Sequence, residues 1–189
     1  MKKVNLLIAP AAVAAFFASN ALATGDIIAI DVTGWQTWGG QGAASNTTAS
    51  INIGAGSVIT GIGWDVTIAT VGASWQSEVT FDIGDSLGGT TNVFLSPGAS
   101  QTTPGTGTFS SNGIIKLADA SIPDIVVADG IVEIEAFESF DDPGGSDGGL
   151  TQDANISGTL FLQVVAVPAP AALGLLGVAG LAGRRRRRG

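Results

Sequence analysis

Along the middle of the chain, apolar and polar residues alternate one for one over short stretches. Trp75, Val79, Phe81 and Ile83 are set against Glu78, Thr80 and Asp82, and Trp64, Val66 and Ile68 against Asp65 and Thr67. A two-residue period sends the two sets to opposite sides of an extended chain, so these runs predict strands with one buried face. Further strands are predicted at 27–32, 49–53, 58–62, 92–95, 131–138 and 156–165. No stretch in this region keeps a helical period, and Gly, Ser, Thr, Asn and Asp separate the runs as turns require. About eight or nine short strands with polar turns predict an all-β fold, an antiparallel β-sandwich of jelly-roll type. The expected core includes Trp64, Trp75, Phe81 and Ile134. Residues 96–113, rich in Gly, Pro, Ser and Thr, read as a long surface loop.

The pattern changes at both ends. Lys2 and Lys3 precede an apolar run, 4–17, that is followed by Ala21-Leu22-Ala23. A basic start, a short apolar stretch and small residues flanking one position form a secretory signal peptide, with cleavage predicted after Ala23. Residues 1–23 are therefore expected to engage the secretion machinery, leaving 24–166 as the exported β-sandwich domain. At the other end, residues 164–183 carry no charge, and Arg184, Arg185, Arg186, Arg187 and Arg188 follow in succession. About twenty helical residues rise roughly 30 Å, enough to cross a hydrocarbon core. Each arginine costs about 2.5–3.5 kcal/mol at the centre of a membrane helix, so five of them stop translocation and stay on the cytoplasmic side. Pro168 and Pro170 hold the approach to this helix extended, because each fixes φ and lacks an N–H donor. Gly174, Gly177, Gly180 and Gly183 recur every third residue, a stripe against which a second membrane helix could pack closely.

The succession Val167-Pro168-Ala169-Pro170, apolar helix and terminal arginine cluster resembles the PEP-CTERM sorting signal of exported bacterial proteins. The resemblance covers residues 167–189, and Ala169 stands where the family motif has glutamate. It implies recognition and processing by an exosortase, a membrane-embedded enzyme resembling cysteine transpeptidases. It further implies transient anchoring in the inner membrane, delivery to the cell surface or extracellular matrix, and association with exopolysaccharide or biofilm material.

Composition narrows the chemistry left to the exported part. The 189-residue chain has no Cys, His or Tyr, which excludes thiolate and imidazole catalysis and the common zinc sites. Stability outside the cell must then come from core burial rather than disulfides. All sixteen acidic residues lie between Asp26 and Asp153, where Lys116 is the single basic residue. Such a surface repels phosphates, so no nucleic-acid partner is expected. An anionic polysaccharide would need divalent cations to bridge it to this surface, whereas a neutral glycan would not.

Three constellations are candidates for chemistry. Trp35 and Trp38, in Gly-Trp-Gln-Thr-Trp-Gly-Gly, form a carbohydrate platform if their indoles are exposed, and part of the sandwich core if they are not. Asp141, Asp142 and Asp147 form an oxygen-rich loop, with Asp153 beyond it, that could hold calcium or be a plain acidic turn. Glu133 and Glu135 lie two apart on a predicted strand, hence on one face about 7 Å from each other. That separation suits an inverting glycosidase, but it is equally the ordinary solvent face opposite Val132, Ile134 and Ala136. The favoured expectation is a non-catalytic surface or matrix protein without a resident cofactor. A carbohydrate-binding module using Trp35 and Trp38, and a secreted carboxylate-dependent polysaccharide hydrolase, are the alternatives.

Overall fold

A computed structural model describes residues 25–88, 91–140 and 151–166. The strands, in chain order, are β1 (Asp26–Asp31), β2 (Trp35–Thr37), β3 (Thr47–Asn52), β4 (Ser57–Thr70), β5 (Val79–Asp85), β6 (Val93–Leu95), β7 (Thr106–Ser110), β8 (Ile115–Lys116), β9 (Ile125–Val127), β10 (Ile131–Glu138) and β11 (Ala154–Val165). A 3₁₀ turn, Leu117–Ala120, is the one helical element among the described residues. The fold is all-β, built as two antiparallel sheets.

The larger sheet has the order β1-β11-β4-β7, and the smaller β3-β10-β5-β6. Both edges of the larger sheet are composite. β1 pairs with 159–164 of β11 and β2 continues along 154–156. On the other side β7, β8 and β9 pair in turn with 65–69, 61–62 and 57–59 of β4. The two long central strands therefore serve as templates for short pieces.

Inward residues of both sheets form one core, including Ile59, Ile68, Phe81, Ile83, Ile134, Ile156, Leu160 and Leu162, all nearly inaccessible. Burial of each large side chain contributes about 1.5–3 kcal/mol, and in the absence of disulfides this core holds the domain together.

Four expectations need correction. The runs at 58–62 and 64–68 are one strand, β4, with a bulge at Thr60: Gln163 pairs with Gly61 and Val164 with Ile59. The extra residue switches the inward set from Ser57 and Ile59 to Ile62, Val66 and Ile68, which is why one strand shows two alternation phases. Trp75 is 42% exposed rather than in the core. It lies in a turn before β5, where its N–H donates to Glu78 Oε2 at 2.7 Å and its carbonyl accepts Glu78 N–H at 3.1 Å. Glu78 and Thr80, expected on the solvent side, are buried; the Thr80 hydroxyl bonds to Ser96 Oγ at 2.8 Å. Finally, the segment 96–113 contains β7, where Thr67 and Thr108 join hydroxyls across the pair at 3.0 Å. Only Phe109 of this edge strand packs against the core, so its composition reads as loop.

Candidate functional site

The outer face of the smaller sheet carries an organised set of polar side chains. Outward residues of its central strands are Glu133, Glu135 and Phe137 on β10 and Thr80, Asp82 and Gly84 on β5. In register, Glu135 faces Asp82 and Glu133 faces Gly84. On the far side Glu133 pairs with Ser50 and Glu135 with Thr48 of β3. A recess of about 270 Å³ lies on this face, lined by residues that include Thr48, Ser50, Asp82, Asn92, Glu133 and Glu135. The Asn92 side-chain amide packs over Gly84, with Cγ 2.6 Å from where a Cβ would stand, so a side chain there would displace it.

Asn92 and Gln41 hold Asp82 from two sides. Asn92 Nδ2 donates to Asp82 Oδ1 at 2.9 Å, and Gln41 Nε2 to Oδ2 at 2.7 Å. The Asp82 carboxyl is nonetheless pushed above the ordinary carboxylate range, chiefly because burial penalises its charge, with the facing Glu135 carboxylate adding to the effect. A pH dependence follows. Between the ordinary aspartate pKa and the raised folded value, the folded protein binds more protons at Asp82 than the unfolded chain does. This group therefore loses stabilising effect as pH rises through that window. The stability of the wild type relative to Asp82→Asn should accordingly fall on going from about pH 3.8 upward, as read by urea unfolding at a series of pH values. A rising difference would refute the assignment.

The loop between β2 and β3 closes one end of this face, and Asn46 is its hub. Asn46 Oδ1 accepts the Trp38 N–H at 2.9 Å, while Nδ2 donates to the Gly40 carbonyl at 3.0 Å and to Glu135 Oε1 at 2.7 Å. The Gly42 N–H reaches the same Glu135 oxygen at 2.7 Å. Asn46 is buried, so truncation strands its partners. Asn46→Ala should cost about 2–3 kcal/mol, given about 1 kcal/mol for each neutral hydrogen bond and more for one to a carboxylate. Equilibrium denaturation that shows less than about 0.5 kcal/mol would contradict this role.

The two indoles, read from sequence as either a platform or part of the core, take different places. Trp35 is buried on β2, its ring 6.2 Å from that of Phe81 and tilted by 53°. Trp38 is half-buried and donates its indole N–H to Gln36 Oε1 at 3.3 Å. The strand period explains the split: Trp35 and Thr37 point inward, Gln36 and Trp38 outward. The aromatic that is well exposed beside the recess is Phe94 on β6, the register partner of Asp82. Its ring meets that of Phe137 edge-on, with centroids 6.1 Å apart and planes at 84°. A phenylalanine at an alternating strand position carries no sign in sequence of which face it takes, so Phe94 was not singled out there.

Glu133 and Glu135 do share the outer face as the strand period requires. Asp153 is buried rather than part of an open loop: Ser74 Oγ donates to its Oδ1 at 3.2 Å. Its backbone is bonded on both sides, to Thr37 and to Val71. At the same end of the sandwich Thr37 Oγ1 donates to buried Glu138 Oε1 at 2.6 Å. Among the described residues no group of three or more acidic side chains is arranged to hold a metal ion. Asp141, Asp142 and Asp147 lie outside the described residues. So do Ala21 and Ala23, the motif Val167 to Pro170, the glycine stripe and the arginine tail. Among the described residues no helix is long and apolar enough to cross a membrane.

No family model matches the chain, and no curated protein does. Among solved structures it is similar to a chain of infectious bursal disease virus Gx strain, with a TM-score of 0.38 and 20% identity over 72% of this chain and 31% of that one. It is also similar to the infectious bursal disease virus VP2 subviral particle, with a TM-score of 0.26 and 14% identity over 88% and 50%. The chain thus spans about a third and a half of the lengths of these two.

Proposed function

We propose that the protein is a non-catalytic, exported surface or matrix protein, a jelly-roll sandwich carried between a signal peptide and a PEP-CTERM-like sorting signal. The observation that carries this reading is the charge and hydropathy layout. Seven of the eight basic residues lie at the two ends beside apolar runs, while all sixteen acids lie between them. A basic start and an arginine finish are what insertion and stop-transfer require.

The jelly-roll reading is supported by connectivity. Along the chain the path crosses repeatedly between the two sheets, so that β1-β11-β4-β7, with β2, β8 and β9 continuing its edges, fill one layer and β3-β10-β5-β6 the other. Two interleaved Greek keys produce that order. The last strand ends at Val165, two residues before the sorting motif, so processing there would release the domain without breaking any strand. In this reading the glycine stripe packs against the exosortase, and the released domain associates with exopolysaccharide.

The decisive experiment is intact-mass and terminal-peptide mass spectrometry of the mature protein from its native host. The expected species starts at Thr24 and lacks the arginine tail. Recovery of the full 189-residue chain from the cytosol would refute the reading.

A further inference from the structure

We infer that the recess on the outer face of β3-β10-β5-β6, together with the exposed ring of Phe94, is a binding site for one or two residues of an uncharged saccharide. This deepens the exopolysaccharide association proposed above and rests on that reading only for where such a ligand is met.

Three features converge on this ligand chemistry. The first is a rigid apolar plane: Phe94 is 58% exposed, yet it is braced edge-on by Phe137, which is itself almost covered. A ring held in this way offers a face to the C–H side of a pyranose at little cost in conformational entropy. The second is a set of hydrogen-bond acceptors left over beside it. The pair of donors from Asn46 and Gly42 both engage Oε1 of Glu135, so its Oε2 and the Glu133 carboxylate remain to accept hydroxyl protons. Asn92 commits its Nδ2 to Asp82, which leaves its carbonyl oxygen as a further acceptor. An acceptor-rich pocket next to an aromatic plane matches a ligand that is rich in O–H donors and has an apolar flat side. The third is charge. Asp82, Glu133 and Glu135 line the recess and Lys116, the sole basic residue of the domain, lies on β8 in the other sheet. Uronate, sulfate or phosphate groups would be repelled, which selects a neutral glycan.

The recess, about 270 Å³ and partly open to solvent, is close to the low end of small-molecule sites. It is built by residues from β3, β5 and β10 and by Asn92, which immediately precedes β6. Trp38 does not line the recess.

The test uses the full chain in detergent, titrated with dextran, galactomannan and xylan as neutral probes and with alginate as an anionic one, by calorimetry and affinity electrophoresis. At least one neutral probe should bind with Kd at or below about 1 mM, with alginate at least about tenfold weaker and with no change on addition of a chelator. Phe94→Ala should weaken binding by about tenfold or more, Phe94→Tyr should retain it, and Trp38→Ala should leave it within about twofold. Glu133→Arg, at an exposed position, fills the recess and should abolish binding with the melting temperature kept; it provides the same reading should Phe94→Ala disturb packing on Phe137. No binding to any neutral probe, binding indifferent to both variants, preference for alginate, or loss of binding on chelation would each overturn the site. None of these results bears on the terminal masses, so failure here is distinguishable from failure of the export reading.

Discussion

Gly158→Ala should destabilise the domain by about 3–5 kcal/mol, the sum of backbone strain and a displaced neighbouring strand. Gly158 lies midway along β11 with φ of +114°, a conformation closed to L side chains. A Cβ there would meet the Asp65 carbonyl oxygen and come within 2.9 Å of Val66 Cα. Both contacts are backbone of β4, the strand with the most extensive pairing to β11, so neither side can rotate away. The position also marks a corner. β1 ends its pairing at Thr159 and β2 begins at Ile156, while the carbonyl of Gly158 accepts the Val32 N–H at 3.0 Å between them. The substitution therefore strains the central pair and the edge together. Urea unfolding should show a lower midpoint with an unchanged slope. A midpoint equivalent to less than about 1 kcal/mol would show that the kink is not required.

Phe81→Ala is expected to cost about 3–5 kcal/mol as well, by a different mechanism. Phe81 is fully buried on the inward side of β5 and packs against Trp35 from the opposite sheet. Removing the ring leaves a cavity between two sheets that are each stiffened by their own hydrogen bonds, so it closes only in part. The environment of Trp35 should change with it, and near-ultraviolet circular dichroism should lose intensity. Phe81→Leu, which keeps most of the volume, should cost less than about 1.5 kcal/mol. Equal costs for the two variants would mean that packing at this point is loose.

Strand character was readable wherever one face of a strand is buried and the other wet. β1, β3, β10 and β11 fall close to the predicted segments because alternation reports a difference between two faces. The same logic failed where the faces do not differ. Thr106–Ser110 lies at an edge with Phe109 as its one large apolar residue, and Ile115–Lys116 and Ile125–Val127 are too short to show a period. Trp75 matches the phase of β5, but a turn closed by the Glu78 N–H on the Trp75 carbonyl separates it from the strand. At the site, the shared face of Glu133 and Glu135 was legible from spacing alone. The partners that give it a shape come from elsewhere: Asp82 and Gly84 by register, Asn92 and Phe94 from the next strand, Gln41 and Asn46 from a loop about 90 residues upstream of Glu135.

The amino-acid order by itself determined the strand-rich class, the exclusion of thiol and imidazole chemistry, the uneven distribution of charge and the expectation that both ends direct export. Each of these is a one-dimensional property, set by composition or by a period of two. Tertiary structure alone decided that Trp35 is core and Phe94 is surface, that Asp82 faces Glu135, and that a recess lies between β3, β5, β10 and Asn92. Those are consequences of register, and register depends on hydrogen bonds between segments far apart in the chain, where shifting one strand by a single residue exchanges its two faces.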